Sequence, residues 1–207
     1  MEGAADLLPP GAVIATALMD GPPPPLLAAE EVLAVGVRER RRRELAWGRA
    51  CAREALARLG HGLAAVGADA DGVPLWPAGA VGSISHGAGI CVAVAAPTTA
   101  LDGIGIDVEE PGPLSNGVID RLATPRERDA HDLTGPLGSV LLSAKESVYK
   151  CLPPGEPFLD VCQGWSVLLG TDGRFTVESA GAEAGRVRGR HTTEDGIVLT
   201  VAWRPQR

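Results

Sequence analysis

The sequence predicts an α+β (α/β) protein built as a pseudo-two-fold pair of similar lobes, each a small, mainly antiparallel sheet packed with helices. Three observations predict it. Helical and strand patterns alternate along the 207 residues instead of segregating. The order strand, helix, strands runs once before residue 98 and once after it. The later strands are short and separated by Gly-containing turns, as antiparallel pairing requires. A chain of this length forms one domain or two small halves. The expected joint is "PTTA" (97–100), dividing an N-terminal lobe, 1–98, from a C-terminal lobe, 99–207.

Each element has its own signal. "GAVIATALMD" (11–20) is an apolar strand, closed by the stiff break "GPPPP". "LLAAEEVLAVG" reads as a short helix. Residues 37–60 give the strongest helix: Leu45, Ala52, Leu56 and Leu59 recur at helical spacing and Gly60 stops it. A Gly-, Ala- and Pro-rich loop (61–80) carries "VPLWP", and 81–97 reads as two strands about a Gly-containing turn. The second half opens on the strand "LDGIGIDVEE". A helix over 124–133 follows, with Thr124 as N-cap, Pro125 at its first position and Glu127 closing a capping box. "GSVLLSAKESVYKCL" (138–152) is the next helix, ended by Pro153 and Pro154. "GWSVLLG", "GRFTVES" and "GIVLTVAWRP" are the remaining strands.

Composition narrows the function. Hydrophobic residues make up 45% of the chain, which is enough for a real core, yet no apolar run reaches the ~18 residues of a membrane span. The N-terminus carries acids where a signal peptide would be basic, so a cytoplasmic protein is expected. A net charge of −7 argues against a general nucleic-acid binder. Cys51, Cys91, Cys151 and Cys162 are too dispersed for a disulfide frame or a zinc site, and are expected as free buried thiols. Of 19 basic residues only two are lysines, and both, Lys145 and Lys150, sit in "SAKESVYK" beside Glu146.

Four features could carry chemistry. In "DGIGIDVEEP" strand alternation puts Ile104, Ile106 and Val108 on one face and Gly105, Asp107 and Glu109 on the other. Two carboxylates side by side mark either a wet strand end or a site for a hard cation such as Mg²⁺. Glu146 and Lys150 share a helix face at i,i+4, either as a surface pair or as a third carboxylate with its balancing cation. Eight arginines fall between Arg38 and Arg58, with Arg42, Arg49 and Arg53 on one face; the face is either solvated or built for a phosphate. "GSISHG" sets Ser85 beside His86, but neighbours on a strand face opposite ways, so a serine hydrolase is a poor fit. His86 is a capping or core histidine or a donor to phosphate.

Taken in order, "ELAWGRACAREAL", "VPLWP", "GSISH", "GIGIDVEE" and "SAKESVYK" resemble the 4′-phosphopantetheinyl transferase superfamily, over about residues 38–152. Length and the G-R-x-x-A-R segment resemble its larger, two-lobed, monomeric members, which prime the carrier domains of peptide, polyketide and siderophore synthetases. The resemblance implies transfer of phosphopantetheine from coenzyme A to a carrier-protein serine, with adenosine 3′,5′-bisphosphate released. It implies that Asp107, Glu109 and Glu146 hold Mg²⁺, that Glu146 deprotonates the carrier serine, and that Lys150 serves the leaving phosphate. Lys145 would pair with the α/β-phosphates, His86 and Ser85 would meet the pyrophosphate region, Arg49 and Arg53 would grip the 3′-phosphate, and Trp76 and Pro77 would line the adenine end. Val73 stands where relatives often carry a basic residue. The competing expectations are a Mg²⁺-dependent phosphohydrolase or nucleotidyltransferase, and a non-catalytic module that binds coenzyme A or a carrier.

Overall fold

A computed structural model describes residues 2–179, 181 and 183–207. The elements, in chain order, are β1 (Val13–Leu18), α1 (Ala28–Glu31), α2 (Glu39–Arg58), β2 (Gly67–Ala68), β3 (Pro74–Leu75), β4 (Ala80–Gly87), β5 (Ile90–Pro97) and β6 (Leu101–Glu109). Then come α3 (Asn116–Leu122), α4 (Pro125–Ala130), α5 (Leu137–Cys151), α6 (Phe158–Val161), β7 (Trp165–Leu169), β8 (Arg174–Ser179), β9 (Arg188–Glu194) and β10 (Ile197–Pro205).

Two antiparallel sheets organise the chain, one ordered β1-β5-β4 and the other β6-β10-β9-β8-β7. Each is covered on its outer face by one long helix. On β5 the residues alternate: Cys91, Ala93 and Ala95 pack under Cys51, Ala52, Ala55 and Leu56 of α2. Ile90, Val92, Val94 and Ala96 point the other way and meet Ile104, Ile106 and Val108 of β6 and Leu199 and Val201 of β10. The layers therefore run helix, sheet, sheet, helix, and the central core is shared by both halves of the chain. The outer face of the second sheet packs on Leu141, Ala144, Val148 and Cys151 of α5.

Small residues set how closely α5 sits. Gly103 and Gly105 of β6 lie against the backbone carbonyls of Cys151 and Ser147, so near that a Cβ at either glycine would overlap the carbonyl oxygen. The apolar strand is thus notched on its α5 side, and the helix drops into the notch. The β4–β5 hairpin turns through Ala88 (φ 50°) and Gly89 (φ 75°). Two consecutive positive φ values match the right-handed twist of the flanking strands.

The capping box expected at Thr124 is formed in both directions, through Glu127 N–H to Thr124 Oγ1 and Thr124 N–H to Glu127 Oε2. All four cysteines are buried and free. The loop over 61–80 contains the β2–β3 ribbon. A 3-10 helix at Glu2–Leu7, α3, α6 and β9 were not anticipated. Among the described residues no helix is long and apolar enough to cross a membrane.

Candidate active site

The acid-bearing face of β6 meets one face of α5 and the edge of β4. Asp107 is 2% exposed. Its Oδ1 accepts hydrogen bonds from Ser85 Oγ on β4 (2.8 Å) and from Lys150 Nζ on α5 (2.6 Å). Lys150 also reaches Ser85 Oγ at 3.3 Å, the Ile106 carbonyl at 3.4 Å, and Glu146 Oε2, one turn earlier on α5, at 3.6 Å. The second oxygen, Asp107 Oδ2, is buried and has no hydrogen-bond partner.

The charges do not balance. Three carboxylates, Asp107, Glu109 and Glu146, face one ammonium. Burial, then the charges of Asp107 and Glu146, push the Glu109 carboxyl up to about 7. Burial, then the neighbouring Asp107 charge, likewise raise Glu146, against the attraction of Lys150. Such a cluster binds protons or a cation in preference to standing fully ionised. Among the described residues no group of three or more His, Cys, Asp or Glu side chains is placed to hold a metal ion, and Lys150 Nζ occupies Asp107 Oδ1.

One hollow touches the cluster through Lys150, and a second adjoins the first at Gly72. A cleft of about 600 Å³ lies between Val73, Pro74 and Trp76 on one side and Tyr149, Lys150 and Leu152 on the other. Trp76 lies flat over Gly82, where a Cβ would come within 2.5 Å of the indole. Gly72 lines this cleft and also a smaller pocket of about 170 Å³ walled by Arg41, Leu45 and Arg49, which stand at i, i+4 and i+8 on α2. Arg49 is 5% exposed and donates to the Gly67 carbonyl (3.2 Å), while its buried Nε has no partner. Burial lowers its pKa. Arg41 Nη1 stands 3.3 Å from His86 Nε2, and Glu44 Oε2 lies 3.6 Å from the same ring nitrogen. Burial pulls the His86 pKa down, against the attraction of Glu44.

Comparison with known proteins places this geometry. Residues 29–96 match the family model for the 4′-phosphopantetheinyl transferase N-terminal domain, and residues 103–202 match that for the 4′-phosphopantetheinyl transferase superfamily. The chain is 37% identical over 151 residues to 4′-phosphopantetheinyl transferase Npt of Nocardia iowensis, covering 72% of this chain and 68% of that protein. It is 34% identical over 177 residues to PptT of Mycobacterium tuberculosis, covering 78% of each. With Svp of Streptomyces mobaraensis it shares 38% over 159 residues, covering 72% of this chain and 65% of that protein. The chain belongs to the 4′-phosphopantetheinyl transferase superfamily. It is a two-lobed transferase that moves phosphopantetheine to carrier proteins.

Within the transferase, the residues implied by the resemblance fall into two sets. Asp107, Glu146, Lys150 and Ser85 come together, with Glu109 at the end of the same strand and His86 and Arg49 flanking the helix α2 side. Three others are placed elsewhere. Lys145 is fully buried: its Nζ donates to both oxygens of Glu127 (2.7 and 2.9 Å) and to the Trp165 carbonyl (3.1 Å), and lies 4.7 Å from the Trp165 ring centre. One position from Glu146 on a helix is a turn of about 100°, so Lys145 points into the C-terminal lobe, away from the acid cluster where it was expected. Arg53 is held by Glu30 in a buried ion pair and by the Pro25 carbonyl (3.0 Å), so its charge is already spent within the N-terminal lobe. Pro77 is not part of the cleft lining; its carbonyl accepts the Ala80 N–H (3.1 Å) in the turn into β4.

Arg41 is the site residue that the sequence reading passed over, and the pairing of Glu127 with Lys145 was not foreseen. Arg41 is hidden in a run of arginines, and only its i+8 relation to Arg49 singles it out. Arg42, expected on the phosphate face, turns to Glu31 (2.9 Å).

Proposed function

We propose that this enzyme transfers 4′-phosphopantetheine from coenzyme A to a serine hydroxyl of an apo carrier domain of a peptide, polyketide or siderophore synthetase, acting in the cytoplasm as a monomer. Asp107, Glu109 and Glu146 would hold Mg²⁺. The observation that carries the reading is the bare, buried Asp107 Oδ2 in a cluster with more carboxylates than cations. Hard oxygen donors suit Mg²⁺, which typically takes one or two carboxylates together with phosphate oxygens. When bound, the ion supplies charge neutralisation for the pyrophosphate.

The 3′-phosphate belongs in the Arg41–Arg49 pocket, where the unpartnered Arg49 Nε is a donor in want of an acceptor. Arg41 supplies there the cation that Val73 does not. The base lies along Gly72–Trp76 in the adjoining cleft, and the pyrophosphate lies between His86 and Lys150. Glu146 takes the proton of the carrier serine as general base. A bond forms from the serine oxygen to the β-phosphorus while the bond from that phosphorus to the bridging oxygen breaks. Adenosine 3′,5′-bisphosphate leaves, and Lys150 neutralises or protonates the departing oxygen. Positioning and charge neutralisation are the main demands of phosphoryl transfer.

The test is to incubate the protein with coenzyme A, Mg²⁺ and an apo carrier protein and weigh the carrier by mass spectrometry. A gain of one phosphopantetheine, abolished by chelating the metal, is expected. Phosphate or nucleotide release with an unmodified carrier would instead indicate a phosphohydrolase.

A further inference from the structure

We propose that Ser85 is a positioning residue that orients Asp107 for a divalent cation, and is not itself a phosphate ligand; the inference rests on the metal seat proposed above. On β4, Ile84 and His86 face α2: Ile84 lies beneath Gly48, and His86 lies beside Glu44. Ser83 and Ser85 therefore face the second sheet. The edge of β4 is pressed against β6 at Gly87, where a Cβ would stand 2.5 Å from the Val108 carbonyl oxygen. That approach brings Ser85 opposite Asp107.

Ser85 is 7% exposed, and its single hydroxyl hydrogen is committed to Asp107 Oδ1 at 2.8 Å. Lys150 donates to the same Oδ1, at 2.6 Å, and to Ser85 Oγ, at 3.3 Å. Both donors thus converge on one carboxylate oxygen and leave Oδ2 bare. An unmade bond to a buried carboxylate oxygen is costly, so the carboxylate would rotate to share its donors if it were free to do so. Ser85 fixes the carboxylate plane from a strand of the other lobe, which a lysine on a flexible stem cannot do. Partners that orient a metal ligand in this way commonly matter as much as about 10–100-fold in metal affinity. Among the described residues Ser85 is the N-terminal-lobe side chain that hydrogen-bonds Asp107, so it ties the lobe carrying Arg41 and Arg49 to the seat of the cation.

The experiment measures Mn²⁺ binding to the full chain without coenzyme A, by electron paramagnetic resonance, and adenosine 3′,5′-bisphosphate binding without metal, by calorimetry. Ser85→Ala should weaken Mn²⁺ about tenfold or more and leave the nucleotide nearly unchanged; Ser85→Thr, which keeps the hydroxyl, should restore Mn²⁺ binding. If Ser85→Ala does not fold, Ser85→Cys, a poorer donor of similar size, is read in its place. Unchanged Mn²⁺ affinity, equal loss of both ligands, or no rescue by threonine would overturn the inference. Asp107→Asn separates it from its premise. If that variant loses Mn²⁺ while Ser85→Ala does not, only the role of Ser85 is wrong. If Asp107→Asn binds Mn²⁺ normally, the seat itself is misplaced and the inference goes with it.

Discussion

Replacing Gly105 by alanine tests whether the active site depends on how deeply α5 sits on β6. In the structure a Cβ at residue 105 would overlap the Ser147 carbonyl oxygen and come within 2.9 Å of the Cys151 nitrogen. Neither is the tip of a flexible side chain; both are helix backbone, so the helix has to move. Restoring an ordinary carbon–oxygen separation of about 3.3–3.6 Å requires a lift of about 1.5 Å. Overpacking of this kind costs about 1–3 kcal/mol, or roughly 3–10 °C in melting temperature for a chain of this size. The larger effect falls on catalysis. Glu146 and Lys150 ride on the turns flanking Ser147, so the same displacement pulls both away from Asp107, and a misplacement of about 1 Å can cost on the order of 10²-fold in rate. The expected result is a modest fall in melting temperature by circular dichroism, with a disproportionate fall in kcat for carrier modification. A Gly105→Ala variant with wild-type kcat and stability would refute the notch as the device that positions the helix.

Arg49→Ala should raise KM for coenzyme A by about 10–100-fold, in line with the ~1.5–3 kcal/mol of a charged hydrogen bond, and leave dephospho-coenzyme A little changed; Arg53→Ala should lower stability without that discrimination, since it uncouples Glu30. Lys145→Met strands the Glu127 carboxylate in the interior and should destabilise the fold by about 3–5 kcal/mol, with Glu127→Gln recovering part of the loss; chemical denaturation reads both. Burial and neighbouring charges raise the Glu109 carboxyl to about 7 in the native state, so the native form binds a proton more tightly than the unfolded form. The metal-free protein should therefore lose stability as pH rises from about 4.5 to about 7. Glu109→Gln should reduce that slope, to which the raised Glu146 also contributes, gaining about 1 kcal/mol at pH 8 after allowance for partial exposure and nothing near pH 4.5, by thermal melts at both.

Much of the fold was legible because the signals are local. The capping box at Thr124, the Gly60 stop and the alternation in "LDGIGIDVEE" are each decided within a few residues, and the structure reproduces them. The element missed among the strands, β9, reads "RGRHTTE", with little apolar character of its own. It becomes a strand by pairing with β8 and β10, and its Gly189 makes room for the Phe175 ring. The site divides the same way. Helical spacing told which arginines share a face, but not that Glu30, 23 residues earlier, would neutralise Arg53. Spacing likewise put Lys145 next to Glu146 without disclosing that the acid of the capping box, Glu127, would capture it from the interior.

The arrangement of the lysines shows how one short helical motif serves two ends. Lys145 and Lys150 lie five residues apart on α5, and five residues turn a helix through about 500°, so they leave its axis roughly 140° apart. Lys145 enters the core, where its ion pair with Glu127 joins α4, α5 and the start of β7 through the Trp165 carbonyl and the Val167 N–H (2.6 Å to Glu127). Lys150 leaves toward the acid cluster and stays partly accessible. A buried pair is a poor means of gaining stability but resists rearrangement, because parting it exposes charge to the interior. Lys145 thus holds α5 in register from within, while Glu146 and Lys150 on its other side meet Asp107 at distances set by the glycine notch. The rotational setting of α5 is held by one lysine, and the other is the one to which the proposed chemistry is assigned.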